Sequence, residues 1–136
     1  MKKVLVVDDA RVDQHLAGRL LEQDLGVRVV YAGNGKLALD AIKEDKPDIV
    51  VTDMLMPEMD GLELTEAIRS QYPALPVIVM TALGSEELAA DALKKGATGY
   101  VPKRRLAQDL AHVVTRQFAL ASKGHPVQEA LECLDR

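Results

Sequence analysis

Five short apolar runs, separated by helix-like stretches, limit what this chain can fold into more than any other feature. They are VLVV (residues 4–7), VRVV (27–30), DIVV (48–51), PVIVM (76–80) and TGYV (98–101), four of them rich in Val or Ile. Near-continuous apolar strands have both faces covered, which is how parallel sheets are built. The stretches between them carry apolar residues at helical spacing. Leu16, Leu20 and Leu21 mark a first helix face, Leu39 and Ile42 a second, and Leu64, Ala67 and Ile68 a third. Leu106, Leu110, Val113, Val114 and Phe118 mark a fifth. The fourth helix is expected to begin at Ser85 as N-cap, with Glu86 and Glu87 in its first turn, Lys94 and Lys95 in its last and Gly96 just past it. That charge order suits the helix dipole. Strand–helix repeated five times predicts an α/β, doubly wound domain with right-handed crossovers.

A chain of 136 residues is one domain of common size. Its net charge of −4 argues against general attraction to nucleic acid or anionic membrane. The single cysteine, Cys133, excludes an internal disulfide and fits a reducing compartment. No apolar run approaches the roughly 20 residues that cross a bilayer. Asp8 and Asp9 interrupt the signal-like start. The expectation is a cytoplasmic protein with a domain over 1–121. Residues 122–136 are expected to be a C-terminal extension in which SKGHP (122–126) breaks the fifth helix. VQEALECL (127–134) is read either as a short sixth helix in a frayed end or as part of a linker into a further domain.

The apolar runs end on acids. Asp8 and Asp9 close the first and Asp53 the third. If the strands are ordered 2-1-3-4-5, the first and third are neighbours, and ligands bind beyond the carboxyl ends of strands at that switch point. Three carboxylates would then share one crevice, and they repel unless a cation sits among them. Hard oxygen ligands in an incomplete shell suit Mg²⁺. Thr81 brings a hydroxyl to the end of the fourth strand and Lys103 an ammonium to the end of the fifth. A carboxylate nucleophile, a divalent ion, a hydroxyl and a lysine are the parts needed to move a phosphoryl group onto Asp53. Plainer readings stand beside these. Asp8 or Asp9 could be a helix N-cap, Asp53 a turn cap and Tyr100 ordinary strand packing. Met54, Met56 and Met59 read as gap-filling core, and Asn34-Gly35, Pro57 and Gly61 as turn chemistry.

In order, VVDD (6–9), DMLMPEMDG (53–61), MTA (80–82) and GATGYVPK (96–103) resemble the receiver domains of two-component response regulators, over residues 3 to about 118. The resemblance implies a flavodoxin-like sheet of order 2-1-3-4-5. It makes Asp53 the phosphoacceptor, and it makes Asp8, Asp9, Asp53 and the backbone carbonyl of Leu55 the Mg²⁺ ligands. It makes Thr81 and Tyr100 the switch pair and Lys103 the partner of a phosphoryl oxygen. The implied partners are a sensor histidine kinase or phosphotransfer protein, an output domain or partner protein, and a second copy on phosphorylation. Neither nucleic acid nor membrane is expected to bind directly. Such a domain catalyses only its own phosphorylation and dephosphorylation, and signals through its helix 4–strand 5–helix 5 face.

The chain departs from that pattern in two places. Proline precedes Lys103, at Pro102, rather than following it, and Arg104 and Arg105 come next. A cis bond before a non-proline residue costs about 2.5–4 kcal/mol, so the Lys103–Arg104 bond is expected to be trans. Leu55 and Leu83, two residues beyond Asp53 and Thr81, are apolar where polar residues are common. They are expected to shield an acyl phosphate and slow its loss. Three rival functions fit less well. A phosphatase of the haloacid dehalogenase type wants a second acid at position 55. A flavin carrier wants a hydroxyl-rich phosphate loop where DDARVD (8–13) stands. A docking module without phosphorylation would not need Asp53, Thr81 and Lys103 together.

Overall fold

The computed structural model describes residues 1–122. Strands β1 (Lys3–Val7), β2 (Arg28–Ala32), β3 (Ile49–Asp53), β4 (Val77–Thr81) and β5 (Gly99–Pro102) alternate with helices α1 (Arg11–Leu25), α2 (Gly35–Glu44), α3 (Gly61–Gln71), α4 (Glu86–Lys94) and α5 (Leu106–Ser122). All strand pairs are parallel, in the order β2-β1-β3-β4-β5. This is the doubly wound flavodoxin-like sheet expected above. The proposed sixth-helix segment, 127–134, and the break at SKGHP beyond Ser122 lie outside the described residues.

The pleat divides each strand between two cores. Leu5, Val7, Val50, Val77 and Val79 pack against Ala38, Ile42, Leu64, Ile68, Ala89 and Ala92 of α2, α3 and α4. Val4, Val6, Ile49, Val51, Ile78 and Met80 face Ala17, Leu21, Leu110 and Val114 of α1 and α5. Period-2 alternation with apolar residues on both sides explains the near-continuous runs. Strands β2 to β5 end one or two residues beyond the apolar runs. Asp53 still pairs with Met80, and Thr81 with Pro102, because ladder hydrogen bonds are indifferent to side-chain polarity. Those extra pairs carry the polar residues to the carboxyl end of the sheet.

Two expectations need correction. Leu16 is exposed, and the buried face of α1 is Gln14, Ala17, Gly18 and Leu21. The small residues let the helix lie close, and a Cβ on Gly18 would collide with the Tyr31 hydroxyl. Ser85 occupies the N-cap position of α4, but its hydroxyl does not cap the helix. Oγ donates to the Ala82 carbonyl and accepts from the Ala82 N–H, closing the β4–α4 turn instead.

One half-buried cation staples the far end of the sheet. The Arg69 guanidinium of α3 donates to the carbonyls of Tyr72, Pro73, Leu75 and Gly96. It thereby ties the turn before β4 to the turn before β5. Burial pulls its pKa below the usual arginine value. Hydrogen bonds to a charged group are worth about 1.5–3 kcal/mol each, and some of these carbonyls can rehydrate, so Arg69→Met should cost about 3 kcal/mol. Urea unfolding should show the midpoint falling with the slope unchanged.

Candidate functional site

The carboxyl ends of β1, β3, β4 and β5 frame a crevice. Asp53 is the last residue of β3 and only 6% exposed. Its Oδ1 accepts the Met54 N–H at 2.8 Å and lies 3.4 Å from Lys103 Nζ. Asp8, just past β1, is fully buried. Its Oδ1 accepts from the Ala10 N–H at 3.0 Å, and its Oδ2 from Lys103 Nζ at 3.0 Å. Asp9 beside it is exposed. Neither caps α1, whose N-cap position is held by Ala10 without a side-chain bond. One carboxylate oxygen from each of Asp8, Asp9 and Asp53 lies within 4.8 Å of the other two. That all-oxygen, anionic donor set fits a small hard divalent cation with coordination positions to spare.

Charge balance shows in the pKa directions. Burial, then the charge of Asp8, pushes Asp53 above the usual carboxylate value against the pull of Lys103. Burial raises Asp8 too, although the Ala10 N–H and Lys103 oppose it. Burial alone would lower Lys103. Its hydrogen bonds to Asp13 and Asp8 and the charges of Asp53 and Asp8 outweigh that, and it sits above the ordinary lysine value. Without a metal the crevice holds more negative charge than one ammonium neutralises.

The loop after β3 is shaped for close approach. Glu58 takes φ +69, and the Met59 N–H bonds back to the Pro57 carbonyl at 2.7 Å, a γ-turn. Asp60 and Glu63 then form a capping box that starts α3. Gly61 is required there, since a Cβ would come within 2.5 Å of the Asp53 carbonyl oxygen. Met54 and Met56 are buried in the core and Met59 packs against it, as expected for gap-filling residues. Asn34 caps α2 by accepting from the Leu37 N–H.

Thr81 ends β4, nearly buried, and helps line a surface depression of about 290 Å³ with Glu86, Ala89, Ala90, Leu93 and Tyr100. Tyr100 faces outward from the edge strand β5, 54% exposed. Pro102, at φ −64, leads into a 3₁₀ turn over Lys103–Arg105. No peptide bond among the described residues is cis, so Lys103–Arg104 is trans, as its sequence predicts. Leu55 and Leu83 are both exposed, Leu83 at 93%.

Two residues of the crevice were not foreseen. Asp13 accepts from Lys103 Nζ at 2.9 Å. Gln14 is buried and donates to the Asp8 carbonyl at 2.7 Å. Both lie within DDARVDQ (8–14), where a helix N-terminus next to two acids is the available signal.

The fold, the strand-end acids and the lysine together describe a signalling receiver. Residues 4–115 match the response regulator receiver domain family, and the chain belongs to it. It is 39% identical over 103 residues to the chemotaxis protein CheY of Listeria monocytogenes, covering 76% of this chain and 87% of that protein. Identity to the response regulator MprA of Mycolicibacterium vanbaalenii is 40% over 124 residues, which is 91% of this chain and 52% of the relative. A protein-glutamate methylesterase/protein-glutamine glutaminase of a Nocardioides species is 43% identical over 104 residues, or 74% of this chain and 28% of the relative. The chain thus spans about half, or less, of the length of these last two. A response regulator receiver domain protein from Clostridium thermocellum superposes with a TM-score of 0.84 at 31% identity, covering 90% of this chain and 98% of that one. Membership makes this a domain of phosphorylation-dependent, two-component signalling. No helix among the described residues is long and apolar enough to cross a membrane.

Proposed function

We propose that this domain accepts a phosphoryl group on Asp53 from a histidine kinase or phosphotransfer protein, and that the modified state alters its α4–β5–α5 face for an output domain or partner protein. The observation that carries this reading is Asp53 itself, nearly buried and flanked by acids, with Lys103 Nζ 3.4 Å away. A carboxylate so costly to bury is held for chemistry.

Asp8, Asp9, Asp53 and the Leu55 carbonyl would hold Mg²⁺. When bound, the ion supplies neutralisation of the phosphoryl oxygens. An Asp53 carboxylate oxygen attacks phosphorus, a new P–O bond forms, and the bond to the donor's imidazole nitrogen or acyl oxygen breaks with its electron pair leaving on the donor. Lys103, already bonded to Asp8, offers its charge to a phosphoryl oxygen. Thr81 lies on the neighbouring strand and donates its hydroxyl to another. Thr81 turning toward the crevice empties space that Tyr100 fills from outside, through the depression both residues line. The domain acts on no substrate but itself, and a second copy is a candidate partner of the phosphorylated face.

Incubation with acetyl phosphate and Mg²⁺ tests the reading. Intact mass should rise by one phosphoryl group, with peptide mapping locating it at Asp53, and chelation of Mg²⁺ should prevent the gain. A mass that never changes refutes the proposal.

Loss of the phosphoryl group should be slow. Leu83 projects into solvent in this conformation and shields nothing, so the argument rests on chemistry rather than cover. Neither Leu55 nor Leu83 offers a polar group to orient an attacking water. Leu55→Asn and Leu83→Glu should each shorten the half-life of the phosphorylated protein by roughly threefold to tenfold, well below the roughly 10²–10⁴-fold of a fully positioned general base. Unchanged half-lives would leave both leucines without a role.

A further inference from the structure

Asp13 is the fourth acid of the crevice, and it stands apart from the three that cluster for a metal. It lies in the first turn of α1, where the helix dipole favours a carboxylate. Its bond to Lys103 Nζ, 2.9 Å, is the shortest of the three that ammonium makes with carboxylates, against 3.0 Å to Asp8 and 3.4 Å to Asp53. An ammonium has three donors; two of them go to Asp13 and Asp8, and Asp53 stands within ion-pair distance.

We propose that Asp13 is the positioning residue of Lys103, a counter-ion of its own that keeps the ammonium beside Asp53 when a divalent cation draws on Asp8 and Asp53. This rests on the reading of the site given above. A dication and an ammonium a few ångströms apart repel by several kcal/mol even at an effective dielectric near 20. If both depended on the same two carboxylates, the more mobile charge would leave. Lys103 carries its charge on a flexible stem and is partly exposed, so solvent is within its reach. Its backbone gives little guidance, since it opens a single 3₁₀ turn with a trans bond to Arg104. Side-chain partners therefore decide where the ammonium rests. Asp13 is well placed to be that partner. The next residue, Gln14, is buried and donates to the Asp8 carbonyl, which fixes this turn of α1 against the end of β1. Asp13 itself is partly exposed, so replacing it leaves the core intact.

The test compares wild type, Asp13→Asn, Asp13→Glu and Lys103→Met, alone and combined, with lysine ¹³C-labelled protein saturated with Mg²⁺. A pinned lysine shows two separate Hε resonances, which merge when the side chain rotates freely. The Lys103 signals, identified by their loss in Lys103→Met, should stay separate in wild type and Asp13→Glu and merge in Asp13→Asn. Phosphorylation by acetyl phosphate should slow about tenfold in Asp13→Asn, recover largely in Asp13→Glu, and change less than twofold when Asp13→Asn is added to Lys103→Met. Separate Hε resonances in Asp13→Asn, or an equal slowing in both lysine backgrounds, would overturn the proposal. If wild type gains no phosphate, the phosphoacceptor reading fails, while the lysine resonances still decide whether Asp13 holds Lys103.

Discussion

Asp53→Asn should remain unmodified under conditions that fully phosphorylate the wild type, a loss on the order of 10³-fold or more in rate. The amide nitrogen and oxygen are far weaker nucleophiles than a carboxylate oxygen, and no neighbour takes over. Asp8 is fully buried with both oxygens engaged, so it cannot reach a donor. Asp9 is exposed and makes no ion pair with Lys103 among the described residues, so no ammonium stands ready there for a phosphoryl group. The variant should fold at least as well as the wild type when metal is absent. Asp53 is held above the usual carboxylate value by burial and by the charge of Asp8, so removing its charge relieves repulsion. Intact mass after acetyl phosphate treatment reads the first expectation and thermal denaturation in a chelator reads the second. If the Asp53→Asn variant gains phosphate as fast as wild type, the assignment of Asp53 ends there.

The second large effect is stabilisation by Mg²⁺. A ligand at one hundred times its dissociation constant stabilises the native state by about 2.7 kcal/mol, which for a domain of this size raises the midpoint by roughly 10 °C. The gain should be largest near neutral pH and shrink in acid. Asp8 and Asp53 have folded-state pKa values raised above 3.8. A carboxyl of that kind binds its proton more tightly folded than unfolded, so the metal-free protein becomes more stable as pH falls from above the folded pKa toward 3.8. Protons then compete with the cation for the same oxygens. Calorimetry at about pH 7.5 and about pH 5, with Mg²⁺ and with chelator, should show a larger difference at the higher pH. Asp9→Ala should bind Mg²⁺ more weakly in a direct titration. Equal affinity in Asp9→Ala and wild type, or a midpoint indifferent to the ion, would remove this site.

What the sequence made legible was whatever depends on local pattern. Apolar runs with both faces covered announce a parallel sheet, and acids placed where such runs stop announce a site at the strand ends. Strand limits were less legible, because Thr52 and Asp53 keep their ladder partners while breaking the apolar pattern. An apolar count points to Leu16 on the face of α1, whereas Ala17 and Gly18 are buried for their small size and contribute little to such a count. Ser85 has the composition of a cap, but its hydroxyl is taken up by the backbone of Ala82, a choice that residue type alone does not reveal. Asp13 escaped notice because its partner is 90 residues away, and no periodicity encodes a contact of that span.

That span has a consequence for how the protein comes into being. Asp8 and Lys103 are 95 residues apart, and the strand leading to the lysine is the last of the five to be translated. At roughly 5–20 residues per second, a ribosome finishes the first acids about 5–20 s before it supplies their cation. A nascent chain with β1 to β3 in place already displays Asp53, yet has neither Thr81 nor Lys103 to steady a phosphoryl group. If Asp53, Thr81 and Lys103 act as proposed, competence to receive a signal arrives only with the final strand, and an unfinished chain stays deaf to a donor that meets it early.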